Sequence, residues 1–230
     1  MMWSLIEGRS QFFGRLFVSC AVLGSALALG SVCFTSYQQL RQRDLLRAQD
    51  QPILRKLDQS AASPLVARIQ EQESLLVEIK DVAVRTDAKR RLAKLYGDLA
   101  TQEISHKALA KSEHALQRAM QLDPSNSRYV ADMGALYSRS ASTQKEPDQR
   151  CTLYQSSAQY YREASSLVPN EQDRIQHLNT AVLEMLSAAK TLESQGLPER
   201  AVSILKRTLE WAPEQAPATA EVNRFIGGVR

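Results

Sequence analysis

The sequence is short of the residues that make turns, rings and bridges. Its 230 residues include 9 glycines, 8 prolines and 3 cysteines, and aromatic residues make up 6%. With so few turn formers and few β-branched clusters, the chain is expected to be all-α rather than a sandwich or barrel. Cys20 and Cys33 stand in one apolar segment and Cys151 alone in the remainder, so no disulfide framework is available. There is no glycine-rich phosphate loop and no Cys-x-x-Cys pair. Of the histidines, His106 and His114 are two helical turns apart and cannot share one zinc ion, and His177 stands alone. Two Ser-x-x-Lys matches, Ser142 to Lys145 and Ser187 to Lys190, lack the accompanying motifs of serine acyl enzymes, and Cys151 has no base beside it. The expectation is therefore a protein that is not an enzyme, with no cofactor and no metal. A net charge of +4 with bases and acids interleaved describes a solvated helical surface and excludes a nucleic-acid stripe. A content of 43% hydrophobic and 23% charged residues is globular, not disordered.

One long apolar run is present. After a tail at 1–15, residues 16–37 ("LFVSCAVLGSALALGSVCFTSY") carry no charge. Roughly 20 apolar residues suffice for a helix to cross a bilayer. Arg9 and Arg15 precede the run and Arg41, Arg43 and Arg47 follow it, which suits a single-pass transmembrane anchor. A cleaved signal peptide is the alternative, with Ala26-Leu27-Ala28 as the cleavage site. Cys20, Gly24 and Ala28, and in parallel Ala26 and Gly30, are small residues four apart, a spacing that would let two membrane helices form a homodimer. The side of the soluble domain stays open: the flanking arginines favour the cytoplasm, while a short leading tail argues the other way.

Residues 38–63 read as a polar stalk and linker that Pro52 breaks or kinks, with Ser63 and Pro64 starting the next helix. Residues 64–89 read as one amphipathic helix with a seam at Leu65, Ile69, Gln72, Leu76, Ile79 and Ala83. The seam serves either packing on the domain behind it or, less favoured at this length, a short coiled coil.

Beyond residue 89 the sequence repeats. "SEHALQRAMQLDPSN", "SSAQYYREASSLVPNE" and "ERAVSILKRTLEWAPEQ" align on Pro124, Pro169 and Pro213, which are 45 and 44 residues apart. Twelve residues before each proline stand Ser112, Ser157 and Ala201; eight before, Leu116, Tyr161 and Leu205; five before, Ala119, Ala164 and Thr208; two before, Leu122, Leu167 and Trp211. Spacings of four, three and three lie on one helix face. Small residues alternating with large ones let that face sit close to a partner helix, and the proline ends it.

These segments resemble the second helix of the tetratricopeptide repeat. Upstream, Val130, Met133, Gly134 and Tyr137 match the spacing of the family's first helix, as Ala93, Tyr96, Gly97 and Ala100 and then Met185, Ala188, Ala189 and Leu192 do more weakly. The period also falls in the HEAT and armadillo range, but the prolines and Gly134 favour the tetratricopeptide pattern. The resemblance implies an all-α solenoid of three helical-hairpin repeats over 90–215, preceded by a transmembrane helix and closed by a capping helix over 216–230 bearing Val222, Phe225 and Ile226. The second unit is longer by about eleven residues around "SASTQKEPDQRCTL", expected to be an exposed loop; "EQDRIQHLNT" is expected to lengthen a helix.

The resemblance further implies that partners bind in a concave groove built by first helices. There the expected groove residues are Lys94, Asp98, Thr101, Arg128, Ala131, Ala135, Ser138, Leu186 and Lys190. The family's carboxylate clamp of Lys and Asn is not reproduced: Lys94 matches, but Asp98, Asp132, Leu183 and Ser187 hold the other positions. The implied function is a membrane-anchored, non-enzymatic scaffold or assembly factor for a protein or peptide partner. The alternative is an exported, periplasmic subunit of a cell-envelope complex after signal cleavage.

Overall fold

A computed structural model describes residues 35–57, 64–105, 108–214 and 216–228. All regular structure among these residues is α-helical. Helix α1 occupies 35–57. It is followed by α2 (Leu65–Glu78), α3 (Val82–Ser105), α4 (Leu109–Leu122), α5 (Ser127–Thr143), α6 (Pro147–Leu167), α7 (Glu171–Ser194), α8 (Pro198–Leu209) and α9 (Pro217–Gly228). The pairs α3/α4, α5/α6 and α7/α8 are the hairpins of a helical repeat, each first helix packed on its own second helix.

Local chemistry sets the joints. Pro124 and Pro169 end the second helices, and an asparagine then starts the next first helix: the Asn126 side chain accepts from the Arg128 amide at 3.2 Å and that of Asn170 from the Gln172 amide at 2.9 Å. Inside the hairpins, Pro147 and Pro198 take the first position of α6 and α8, where a missing amide costs nothing. Gly196, at φ +74°, turns α7 into α8, while the Leu197 amide reaches back to the Leu192 carbonyl at 3.0 Å.

The packing follows from the repeating small residues. Those twelve and five positions before each proline (Ser112, Ala119, Ser157, Ala164, Ala201 and Thr208) are buried in all three units. Ser112 donates to the Ala100 carbonyl at 3.0 Å and Ser157 to the Gly134 carbonyl at 2.8 Å, so the buried hydroxyls are satisfied by the first helix they touch. In the second unit Tyr161 replaces the leucine eight before the proline, and Gly134 makes space for it. A Cβ on Gly134 would stand 3.0 Å from the Tyr161 ring and 3.3 Å from the Ser157 carbonyl. One apolar cluster joins α2 to α5 around Leu92, Leu116 and Met133, and a second joins α6 to α9 around Leu186, Leu205 and Val222. Each fully buried leucine contributes about 1.5–3 kcal/mol.

Several expectations are corrected. The stalk is not broken at Pro52: α1 is helical through it, and Ile53, Leu54 and Leu57 pack on Leu75, Ile79 and Ala88. The helix expected over 64–89 is two helices. They meet at an elbow, Ile79 to Asp81, and Ala83 is exposed rather than part of a seam. Asp50 of α1, 1% exposed, causes the break by accepting from the amides of Lys80 (3.3 Å) and Asp81 (2.9 Å). Asp81 then caps α3 at the Val84 amide (2.9 Å), and the Arg85 guanidinium donates to the Ile79 carbonyl. The long insert in the second unit is not an exposed loop either. It extends α5 and α6, buries Cys151, and leaves only Gln144 to Glu146 between the helices. Of the apolar run at 16–37, residues 16–34 lie outside the described residues, as does Ser63. Among the described residues no helix is long and apolar enough to cross a membrane.

Replacing Asp50 by alanine should strand two amides at the elbow, one of them buried. It is expected to cost about 1–3 kcal/mol, measured by urea unfolding, with hydrogen exchange at Lys80 to Arg85 accelerating first.

Candidate partner-binding face

The first helices lie side by side. The ring of Tyr129 on α5 covers Gly97 on α3, where an added Cβ would stand 3.0 Å away. Ser138 on α5 donates to Glu184 on α7 at 2.8 Å. On the far side, Lys190 of α7 pairs with Glu221 of α9 at 3.2 Å, and the Asn179 side chain accepts from the Ala218 amide at 3.0 Å. The four helices thus present one continuous face.

Each of three helices contributes a stripe with the same spacing of four and three residues. On α3 it is Lys94, Asp98 and Thr101, all exposed; on α5, Arg128, Asp132 and Ala135; on α7, Leu183, Ser187 and Lys190. Lys94 and Asp98 also line a cleft of about 300 Å³ with Leu57, Arg68 and Gln72, so the face continues towards α1 and α2. Ala131 and Ser138 are half-buried at the edge of the α5 stripe.

Leu186 does not belong to this face. It is 2% exposed, in the cluster around Leu205 and Val222. The residue presented instead is Leu183, at 40% exposure. The physical reason is helical phase. Three residues along turn the side chain about 60° short of a full turn, enough to move it from the face into the core. The signal was in the sequence, since Leu183, Ser187 and Lys190 reproduce the spacing of the α3 and α5 stripes.

The electrostatics of the face are mixed. Arg128 and Asp132 stand 3.7 Å apart at i and i+4, both solvent-accessible, and contribute little to stability. Burial raises the Asp132 carboxyl above the usual range, against the pull of Arg128. Burial likewise raises Glu184, with the Ser138 and Ser157 hydroxyls opposing, and its Oε2 has no hydrogen-bond partner among the described residues. Tyr161 is raised too, first by burial and then by the charges of Glu184 and Asp132, and its ring stacks on His177 at 6.4 Å.

Nucleophile candidates are occupied elsewhere. Ser142 donates to the Arg139 carbonyl at 2.8 Å and Ser187 to the Leu183 carbonyl at 3.0 Å, within their own helices. Burial raises the Cys151 thiol, the direction opposite to an activated thiolate. His106 lies outside the described residues, and His114 is exposed.

No protein-family model and no curated protein matches this sequence. Among solved structures, the N-terminal domain of stress-induced protein-1 from C. elegans is similar at 18% identity, with 60% of this chain and 97% of that chain covered and a TM-score of 0.37. A de novo designed helical repeat protein is similar at 17% identity, over 83% of this chain and 93% of that chain, with a TM-score of 0.29.

The raised Glu184 carboxyl carries a pH signature. The folded state holds its proton more tightly than the unfolded chain does. Stability is therefore lost as pH rises from the ordinary glutamate value of about 4.3 past the raised value. Glu184→Gln removes the buried charge while keeping an acceptor for Ser138. Its Tm should exceed that of the wild type at pH 7, and the difference should shrink towards zero near pH 4, measured by circular dichroism melts.

Proposed function

We propose that the chain is a non-enzymatic scaffold that holds a protein partner on the shared face of its first helices. The observation that carries this is the set of three stripes at Lys94, Arg128 and Leu183, aligned across adjoining helices and left over after the core is packed. A partner helix or extended segment laid across them would meet alternating charge and one exposed leucine, so recognition would combine paired charges with a small apolar anchor. The two acids at Asp98 and Asp132, where a carboxylate clamp has asparagines, disfavour a partner's C-terminal carboxylate as the ligand. The uncharged run at 16–37 with its flanking arginines supports a membrane anchor for this scaffold.

Affinity capture from membranes, wild type against Lys94→Glu/Arg128→Glu, tests the face. At least one partner should fall tenfold or more in the variant, and an unchanged set of partners rejects the reading. Intact mass of the mature protein tests the anchor, since loss of everything before Leu29 would assign the run to a cleaved leader.

A further inference from the structure

The opposite side of the array, built by second helices, is not uniformly filled. Between α6 and α8 lies a cleft of about 480 Å³ with Met185 of α7 in its floor. Its α6 wall is Gln155, Ala158, Gln159 and Arg162; opposite stand Ile204, Arg207 and Thr208 of α8 and Trp211 in the turn that follows it. The α6 residues run i, i+3, i+4, i+7, a straight stripe about 10 Å long, and Ile204, Arg207 and Thr208 repeat the first three of those positions on α8. The stripes end together, because the Arg162 guanidinium lies over the Trp211 ring, 5.4 Å from its centroid. The cleft therefore combines apolar contacts, from Ala158, Met185 and Ile204, with two cations, Arg162 at the Trp211 end and Arg207 on the α8 wall. Glu210 also borders it. Yet among the described residues neither arginine has a carboxylate within 4.0 Å.

The preceding junction shows what a filled version looks like. Counting back from each proline, the α4–α6 junction has Glu113 where α6–α8 has Ala158, and Tyr160 where it has Ile204. There the Tyr137 ring of α5 stacks on Tyr160 at 5.4 Å and its hydroxyl donates to Glu113 at 2.8 Å. At one junction Glu113 and Tyr160 are both engaged by Tyr137. At the next, smaller apolar residues leave space beside two guanidinium groups that have no carboxylate partner among the described residues.

We propose that the α6–α8 cleft is a second docking site, taking a partner segment that sets a bulky apolar side chain beside a carboxylate. The apolar side chain would enter over Met185, between Ala158 and Ile204. The carboxylate, about one turn or two extended residues along, would bridge Arg162 and Arg207, and Trp211 would close that end. Charge complementarity selects an acidic segment over a basic one, and a half-buried Trp beside an exposed Arg, with a methionine in the floor, is the composition of interface hot spots. This site is distinct from the face proposed above: its walls are second helices, and α7 contributes only Met185 to its floor.

The sequence has two tryptophans, Trp3 and Trp211, so in the full chain carrying Trp3→Phe the emission reports on the cleft. Three blocked synthetic peptides are titrated: one alternating Leu and Phe with Glu, the same with Lys for Glu, and an oligoglutamate. The first should shift Trp211 emission and saturate; the other two should not. Arg162→Glu/Arg207→Glu should weaken binding at least tenfold, and Ala158→Glu/Ile204→Tyr, importing the residues of the first junction, should abolish it with helicity unchanged. Lys94→Glu/Arg128→Glu should leave it intact, which separates this site from the inner face. No saturable shift with the first peptide, or equal binding of the lysine peptide by the unaltered cleft, overturns the proposal. So does self-association of the chain that Arg207→Glu dissolves, since a second copy would then be the occupant.

Discussion

How closely two helices can approach governs the whole array. The first and second helix of each unit meet through residues too small to hold them apart, and every other feature is arranged around that contact. Where the small residue is a serine, its hydroxyl is tied to a carbonyl of the facing helix, so close approach leaves no stranded polar group. Where the facing residue grows, as at Tyr161, a glycine yields the volume. The prolines and asparagines of the connectors then decide only where one close contact stops and the next begins.

Two surfaces are left over, and they differ because helices with different tasks build them. First helices touch both neighbours and expose narrow polar stripes, whose charges are partly paired within the protein. Second helices pack on the first helices before and after them, and the space between consecutive second helices depends on a few side chains. The Tyr137–Tyr160–Glu113 group fills one such space, and Ile204 with Ala158 leaves the next open. The same backbone plan therefore yields one junction bridged by side chains and one with a cleft.

The repeat was legible because its contact is local: small and large residues at fixed distances from a proline state which face is buried. What was not legible depends on residues far apart in sequence. The elbow at Ile79 to Asp81 is made by Asp50 on another helix, and nothing within 64–89 shows a break, since the apolar spacing runs on through it. Pro52 lies in a continuous helix whose apolar side is needed against Ile79. The insert around "SASTQKEPDQRCTL" looked polar enough for a loop, yet Pro147 is a helix starter and Cys151 supplies an apolar contact. Leu186 was misplaced by a fraction of a turn, the error that spacing alone permits when a helix is apolar on more than one side. The Leu183 stripe could have been found by carrying the α3 and α5 pattern forward.

The unequal lengths of the helices have a consequence for assembly of the chain itself. Second helices of 14, 21 and 12 residues face first helices of 24, 17 and 24. In an array of identical units, any hairpin can dock beside any other, and slipped or exchanged stackings compete with the native one. Here α6, at 21 residues, is longer than the other two second helices, of 14 and 12, and it packs along the 24-residue α7. A slip by one unit would set α7 against a helix little more than half as long, uncovering turns of apolar surface. The lengthened centre thus works as a key, giving a repetitive chain a single order in which its parts fit.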